Sequence, residues 1–259
     1  MIDLKYTKNQ FNNFIKRYDL KNEMIALKVA HMIRVMEVNT KFANFQDLDS
    51  ENIELAGVIG LLHDIGRFVQ IEKYGTFIDA RSIDHCQAGV DLLFKDGFIT
   101  NFVKEQKYYY TIEKAIANHG KFEIEPNLDN NTLLHCKLIR DSDKTDIFEV
   151  MLRENPDIVF DGAYIKDATI ELKVINDFYN HKMINKVYIR TVVDDYVRKV
   201  AFIYNYYFSK NLQYIKEQNY IDRMTERFLN YFKFDNQSTI NNIKEINLYA
   251  NNYIKNYFM

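Results

Sequence analysis

The sequence predicts an all-α protein, and three observations carry that expectation. Two prolines and eight glycines in 259 residues leave long stretches without a helix breaker. Apolar residues recur at spacings of three and four along most of the chain, the period of a helix buried on one side. Tight-turn signals are too sparse for a sandwich or a barrel. A hydrophobic fraction of 47% supports a real core, and the length fits one large domain or a core with an appendage. The chain divides on this reading into an N-terminal helix (1–19), a core (20–156) and a C-terminal helical extension packed on the core (157–259).

Residues 1–18 form a short amphipathic helix with Phe11, Phe14 and Ile15 on its apolar side. Asp19 or Asn22 then caps a helix over Glu23–Phe45. Leu27, His31, Val35 and Val38 make its inner stripe, so His31 faces inward. Asp47, Asp49 and Ser50 mark a loop. The next helix ends in Gly57-Val58-Ile59-Gly60-Leu61-Leu62-His63-Asp64-Ile65-Gly66-Arg67. Gly66 is placed to stop it in the left-handed conformation that glycine adopts at little cost. From Phe68 to Ile83 the pattern is irregular, with a turn at Tyr74-Gly75-Thr76, and a substrate loop fits there.

Ser82 or Asp84 caps a helix from His85 to Lys95, whose inner face holds His85, Ala88, Gly89 and Leu92; Asp96-Gly97 ends it. A helix over 101–119 follows, with Ile112, Ala115, Ile116 and His119 in a stripe and Gly120 as its stop. Asn127–Thr132 is a loop. The helix over Leu133–Glu154 aligns Ile139, Asp143 and Ile147, and an acid on an apolar stripe is costly unless paired or bound to metal. Asn155-Pro156 closes the core. Residues 157–182 are mixed, with a turn at Asp161-Gly162. Two long helices are expected over 187–210 and 214–232, then a loop over 235–239 and a last helix through Ile243, Ile246 and Tyr253. The stripe Val193, Val197, Val200, Tyr204 and Phe208 reads as packing.

Composition narrows the function classes. A net charge of -2 provides no global basic field and argues against nucleic acid as a partner. Cys86 and Cys136 cannot build a disulfide framework and suit packed thiols in a reducing cytosol. The N-terminal residues lack the apolar core of a signal peptide, and no apolar run is long enough to span a bilayer. A cytoplasmic protein with no membrane partner is the expectation, and homo-oligomerisation is left open.

Imidazole and carboxylate are common ligands of borderline divalent metals. Of the six histidines, His31, His63, His85 and His119 fall on inner helix faces or helix ends, and Asp64 and Asp143 accompany them. No serine or cysteine nucleophile arrangement and no glycine-rich phosphate loop competes with this set. A phosphate-bearing substrate needs cations, and Arg67, Arg81, Lys121 and Lys144 adjoin the candidate ligands in sequence, Arg67 being the best placed.

The order His, His-Asp, His, His, Asp, with the Leu61-Leu62-His63-Asp64-Ile65-Gly66 and Arg140-Asp141-Ser142-Asp143-Lys144 segments, resembles the HD-domain superfamily of metal-dependent phosphohydrolases, with an HDIG-type motif. His85, in Asp84-His85-Cys86-Gln87-Ala88-Gly89, and His119, in Ile116-Ala117-Asn118-His119-Gly120, are similar to the second-metal positions of the two-metal branch. The resemblance covers residues 20–150 and implies an HD-domain helical bundle with the metal inside. His31, His63, Asp64 and Asp143 would hold one ion, with Asp141 as the alternative acid. Asp64 would bridge to a second held by His85 and His119. The implied cofactor is one or two divalent ions (Mn, Fe, Ni, Co or Zn, with Mg as a further candidate). The implied activity is hydrolysis of a phosphate ester or anhydride of a small, nucleotide-like substrate by a metal-activated water, with Asp64 and Arg67 in catalytic roles. Two other classes share the ligand order: a di-iron oxygenase of the same fold and a non-catalytic regulatory module.

Overall fold

Local signals place the first helices where the sequence expects them. Asp3 accepts from the backbone N–H of Tyr6 and starts α1 (Leu4–Ile15); Asn22 caps α2 (Glu23–Phe45) through Met24 and Ile25; Asp49 caps α3 (Ser50–Leu62) through Asn52. The computed structural model describes residues 1–160 and 170–259, and among these there is no strand. The expected turn at Asp161-Gly162 lies outside the described residues. The chain separates into two compact units, Met1–Asp146 and Ile147–Met259; α1 belongs to the first, and the division falls inside the long helix α8 (Asn130–Arg153).

In the first unit α3 is the central helix. Every residue from Leu55 to Leu62 is buried, and a helix apolar on all sides belongs inside a bundle. Each fully buried leucine, isoleucine or valine there contributes roughly 1.5–3 kcal/mol. α2 packs closely on it, because Gly60 leaves the space a Cβ would fill at 2.8 Å from Met36 Cα and 2.9 Å from the Val35 carbonyl. Phe14 seats α1 by edge contacts with Phe68 and Phe102.

Gly66 does not stop a helix. α3 ends at Leu62, the chain turns through His63–Ile65, and Gly66 is the first residue of α4 (Gly66–Tyr74), in part of the stretch expected to be irregular. Its requirement is close approach. A Cβ on Gly66 would lie 2.2 Å from the His85 carbonyl and 2.4 Å from the Gly89 nitrogen. These backbone groups belong to α5 (His85–Val90), which Asp84 caps and a single wider turn over Asp91–Lys95 continues. The left-handed glycine is Gly75, at φ 64, which closes α4.

The helix expected over 101–119 is two α-helices, α6 (Ile99–Phe102) and α7 (Tyr109–His119), with a 3₁₀ turn over Gln106–Tyr108 between them. Tertiary bonds override helix propensity between them. The Phe102 carbonyl accepts from Thr7 Oγ1 at 2.9 Å, the Val103 carbonyl accepts from the Tyr109 hydroxyl at 2.9 Å, and Val103 is extended. Gly120 follows α7 in a right-handed conformation, so it too serves by lacking a side chain: a Cβ would stand 2.7 Å from Cys86 Sγ.

The second unit begins in the last residues of α8. Asn155 caps α9 (Pro156–Val159), and α10 (Leu172–Tyr179) follows the undescribed stretch. The helix expected over 187–210 is broken. A capping box between Thr191 and Asp194 starts α11 (Val192–Val200), a 3₁₀ turn covers Ala201–Asn205, and Tyr206 and Phe208 are extended. α12 (Ser209–Glu217) and α13 (Tyr220–Phe232) are separated by Asn219, which is left-handed at φ 52. α14 (Gln237–Tyr257) ends the chain. Val193, Val197 and Val200 are buried as the packing stripe predicts, and Tyr196 stacks on Phe228 at 4.5 Å.

Two expectations follow. Gly66→Ala forces α4 from α5 and should cost about 2–3 kcal/mol, as overpacking against backbone does; thermal unfolding would show a melting temperature lower by several degrees. His135 is fully buried with only its Nε2–H engaged, on Asn52 Oδ1 at 3.0 Å, and burial pushes its pKa down to about 4. The folded value lies below the free value of about 6.5, so the unfolded chain takes up the proton first. Stability contributed by neutral His135 is therefore present above pH ~6.5 and lost as pH falls toward ~4, on the order of 3 kcal/mol. Denaturant unfolding of chelated protein at several pH values should show this slope, and His135→Gln should flatten it.

Candidate metal centre

Five elements deliver ligand-type side chains to one buried point. His31 comes from the middle of α2, His63 and Asp64 from the turn after α3, His85 from the first residue of α5, His119 from the last residue of α7, and Asp143 from α8. The four imidazoles form a continuous row, with ring centroids 5.1 Å apart for His31–His63, 5.0 Å for His63–His119 and 5.0 Å for His119–His85.

Their orientation follows from what each Nδ1 touches. His31 Nδ1 is 2.7 Å from Asp146 Oδ2, His63 Nδ1 is 2.8 Å from the Gly60 carbonyl, His85 Nδ1 is 2.7 Å from Asp79 Oδ2, and His119 Nδ1 is 2.7 Å from the Ile116 carbonyl. All four partners are oxygen acceptors, so each Nδ1 carries the proton and donates. In the neutral ring Nε2 is then a bare lone pair, and all four Nε2 atoms converge. His31 and His63 Nε2 are 3.2 Å apart, as are those of His85 and His119. Two lone pairs cannot hydrogen-bond one another; a shared cation satisfies both.

The carboxylates complete two halves. Asp143 Oδ1 lies 3.2 Å from His31 Nε2 and 3.7 Å from His63 Nε2. Asp64 Oδ2 lies 3.6 and 3.9 Å from the same two nitrogens. Asp64 Oδ1 faces the other way, 3.5 Å from both His85 Nε2 and His119 Nε2, and is buried without a hydrogen-bond partner. Ligands about 2.1 Å from one ion stand roughly 3.0–3.4 Å from each other; the two Nε2 pairs and the Asp143–His31 contact, each at 3.2 Å, fall in that range, and the remaining contacts, at 3.5–3.9 Å, stand a few tenths wider.

Electrostatics agree with a site built for positive charge. Burial opposes ionisation of Asp64 and Asp143, yet Lys28 and Arg67 beside Asp64, and His31 and His63 beside Asp143, hold both carboxyls well below the usual carboxylate range. Burial and Lys28 push His31 down, but Asp143 and Asp146 outweigh them and raise it. Burial alone dominates at His63 and lowers it.

Of the residues singled out in the sequence, His31, His63, Asp64, His85, His119 and Asp143 are brought together. Asp143 Oδ1 faces His31 and His63, and Asp141 lies near Lys144. Arg67 is buried; its Nε is 3.4 Å from Asp64 Oδ1, and its NH1 donates to Gln70, the Phe77 carbonyl and Asp79. Arg81 is exposed, and Lys121 is exposed and pairs with Glu125 at 3.3 Å. Lys144 is buried, and burial lowers its pKa to about 8 against the pull of Asp141.

Four participants were missed. Asp146 orients His31 and is itself held by Arg34 at 2.7 Å; its signal was its place three residues after Asp143, on the same helix face. Lys28, three residues before His31, donates to Asp64 Oδ2 at 2.7 Å. Asp79 gave no periodic signal because it lies between helices. Cys86 Sγ is 3.4 Å from His85 Nε2, and 3.5 Å from Nδ1 and 3.8 Å from Nε2 of His119. The thiol lies beside the His119 ring and at a ligand-like distance from His85 Nε2, so it borders the His85–His119 half and could join its donors.

An all-helical unit with a buried histidine–aspartate cluster able to hold a divalent metal is the class that fold and site define. Residues 29–147 match the family model of the HD domain, which supports an HD domain in this segment. HD domains bind divalent metals and are commonly metal-dependent hydrolases. No curated protein and no solved structure matches the chain. None of the helices among the described residues is long and apolar enough to cross a membrane.

The choice between the two acids is testable. Asp143→Asn should remove most bound metal from protein purified without chelator, while Asp141→Asn should retain it. Metal per chain by elemental analysis decides between them.

Proposed function

We propose that this chain is a metal-dependent phosphohydrolase that cleaves a phosphate ester or anhydride of a small, nucleotide-like substrate. The observation that carries the reading is Asp64, whose two oxygens face two different histidine pairs, at 3.6 and 3.9 Å on one side and 3.5 and 3.5 Å on the other. A carboxylate so placed is suited to bridge two ions. His31, His63, Asp64 and Asp143 would hold the first, and Asp64, His85 and His119 the second. When bound, such a pair supplies Lewis acidity toward a phosphoryl oxygen and a water acidic enough to attack near neutral pH.

The chain's own residues supply the rest. The Nδ1 hydrogen bonds keep four Nε2 atoms aimed at one place, which removes reorganisation from the reaction. Lys28 stands at the rim with its side chain 13% exposed, its Nζ 5.2 Å from the centre of the Phe77 ring. It is the cation best placed to meet a substrate phosphate. Arg67 holds Asp64 and Asp79 in place, and its charge stabilises negative charge developing beside Asp64. Arg81 and Lys121 are left to outer contacts with a larger substrate.

The test is metal content followed by a phosphate-release screen over nucleotides. His63→Ala should lose most metal and the stabilisation that metal confers. His119→Ala should keep about half the metal, remain folded and lose at least ~100-fold in kcat, roughly 2.7 kcal/mol of transition-state stabilisation. Iron-dependent oxygen uptake with no phosphate released from any nucleotide would overturn the hydrolase reading.

A further inference from the structure

The four histidines do not depend on equally rigid supports. His63 and His119 each donate to a carbonyl three residues earlier in the chain, Gly60 and Ile116. His31 donates to Asp146 in the middle of a 24-residue helix. His85 alone is oriented by a side chain from a segment between helices, Asp79 in the stretch 75–84.

That stretch packs lightly, chiefly through Phe77 against the core. None of residues 75–84 is buried, and its only regular element is the short 3₁₀ turn Asp79–Arg81. Its order rests on a hydrogen-bonded hub. Asp79 Oδ1 accepts from Arg67 NH1 and Gln70 Nε2, both at 2.8 Å. Gln70 Nε2 also reaches Ser82 Oγ at 2.8 Å and the Ile83 carbonyl at 3.0 Å, and Arg67 NH1 reaches the Phe77 carbonyl at 2.7 Å. Arg67 and Gln70 are buried on α4, so the hub ties a half-buried segment to a fixed floor. The other oxygen, Oδ2, holds His85.

We propose that Asp79 is the positioning residue for the second ion, and that through it this ion and the 75–84 segment stabilise one another. The inference rests on the two-ion reading above. Its physics is linkage. An ion on His85 Nε2 polarises the ring and strengthens the Nδ1–H bond to Asp79, and a carboxylate fixed on Nδ1 raises the basicity of Nε2 toward the ion. Whatever the ion contributes to the order of the segment, the ordered segment returns to ion affinity.

The experiment titrates the intact chain and its Asp79→Ala and Asp79→Asn variants with Mn²⁺. It reads bound ions per chain by equilibrium dialysis and backbone amide exchange over 76–84 by mass spectrometry. In the intact chain the second equivalent of Mn²⁺ should slow exchange across 76–84. In Asp79→Ala the second ion should bind about 10–100-fold more weakly, the first should bind as before, and Mn²⁺ should no longer slow exchange. Asp79→Asn, which offers His85 an acceptor without the charge, should recover part of the affinity. Two ions bound by Asp79→Ala with unchanged affinity would overturn this inference alone, as would exchange over 76–84 indifferent to Mn²⁺ in an intact chain that binds two. A single ion in the intact chain would overturn the two-ion reading and this inference together.

Discussion

The first unit depends on one constraint: four imidazoles with converging Nε2 atoms and two ionised carboxylates are packed out of water at its centre. Such a cluster is unfavourable unless positive charge is held among its members. The surrounding structure meets that requirement partly by itself, through Lys28 and Arg67 at Asp64 and Arg34 at Asp146. It also fixes the direction of each ring by giving Nδ1 an oxygen to donate to. The polar interior is thus arranged around an ion-sized point, and the apolar core is arranged to bring that interior together.

The glycines show how the backbone accommodates it. Gly60 lets α3 press on α2, which carries His31; Gly66 lets α4 press on the start of α5, which carries His85; Gly120 leaves room for Cys86 and the His85 ring. All three sit next to ligand-bearing turns, and none of them has the positive φ that usually explains a glycine. Their common role is steric. A methyl group at Gly60 or Gly66 would meet backbone atoms, which cannot rotate away as a side chain can.

Much of this was legible in the sequence where a signal repeats with the helical period. The inward faces of His31 and Asp143, the bounds of α2 and the end of α7 at His119 follow from spacing, capping residues and the scarcity of proline. What was not legible depended on tertiary contact. Gly66 reads as a stop because a lone glycine after an apolar run usually is one, and only the approach of α5 shows otherwise. The break between α6 and α7 depends on Thr7, nearly a hundred residues away in sequence. Asp79 could not be found by periodicity at all, since it acts from a segment that has none. Arg81 and Lys121 were chosen by adjacency along the chain, which places a residue near a ligand in sequence but does not aim its side chain.

The two halves of the centre differ in construction, and the difference has a physical consequence. The first half draws His31 and Asp143 from helices of 23 and 24 residues, whose packing holds the ligands in register whether or not an ion is present. The second half draws His85 from the first residue of the short helix α5 and orients it through a side chain on a half-buried stretch between helices. Preorganised ligands lose little conformational entropy on binding, whereas a support that must itself be ordered subtracts from affinity. On the two-ion reading proposed above, the half around His31 would bind the more tightly, and the half around His85 would be the one whose occupancy responds to ion concentration and to whatever presses on residues 75–84. Asp64 belongs to both halves, so its carboxylate is where a change in the second is felt by the first.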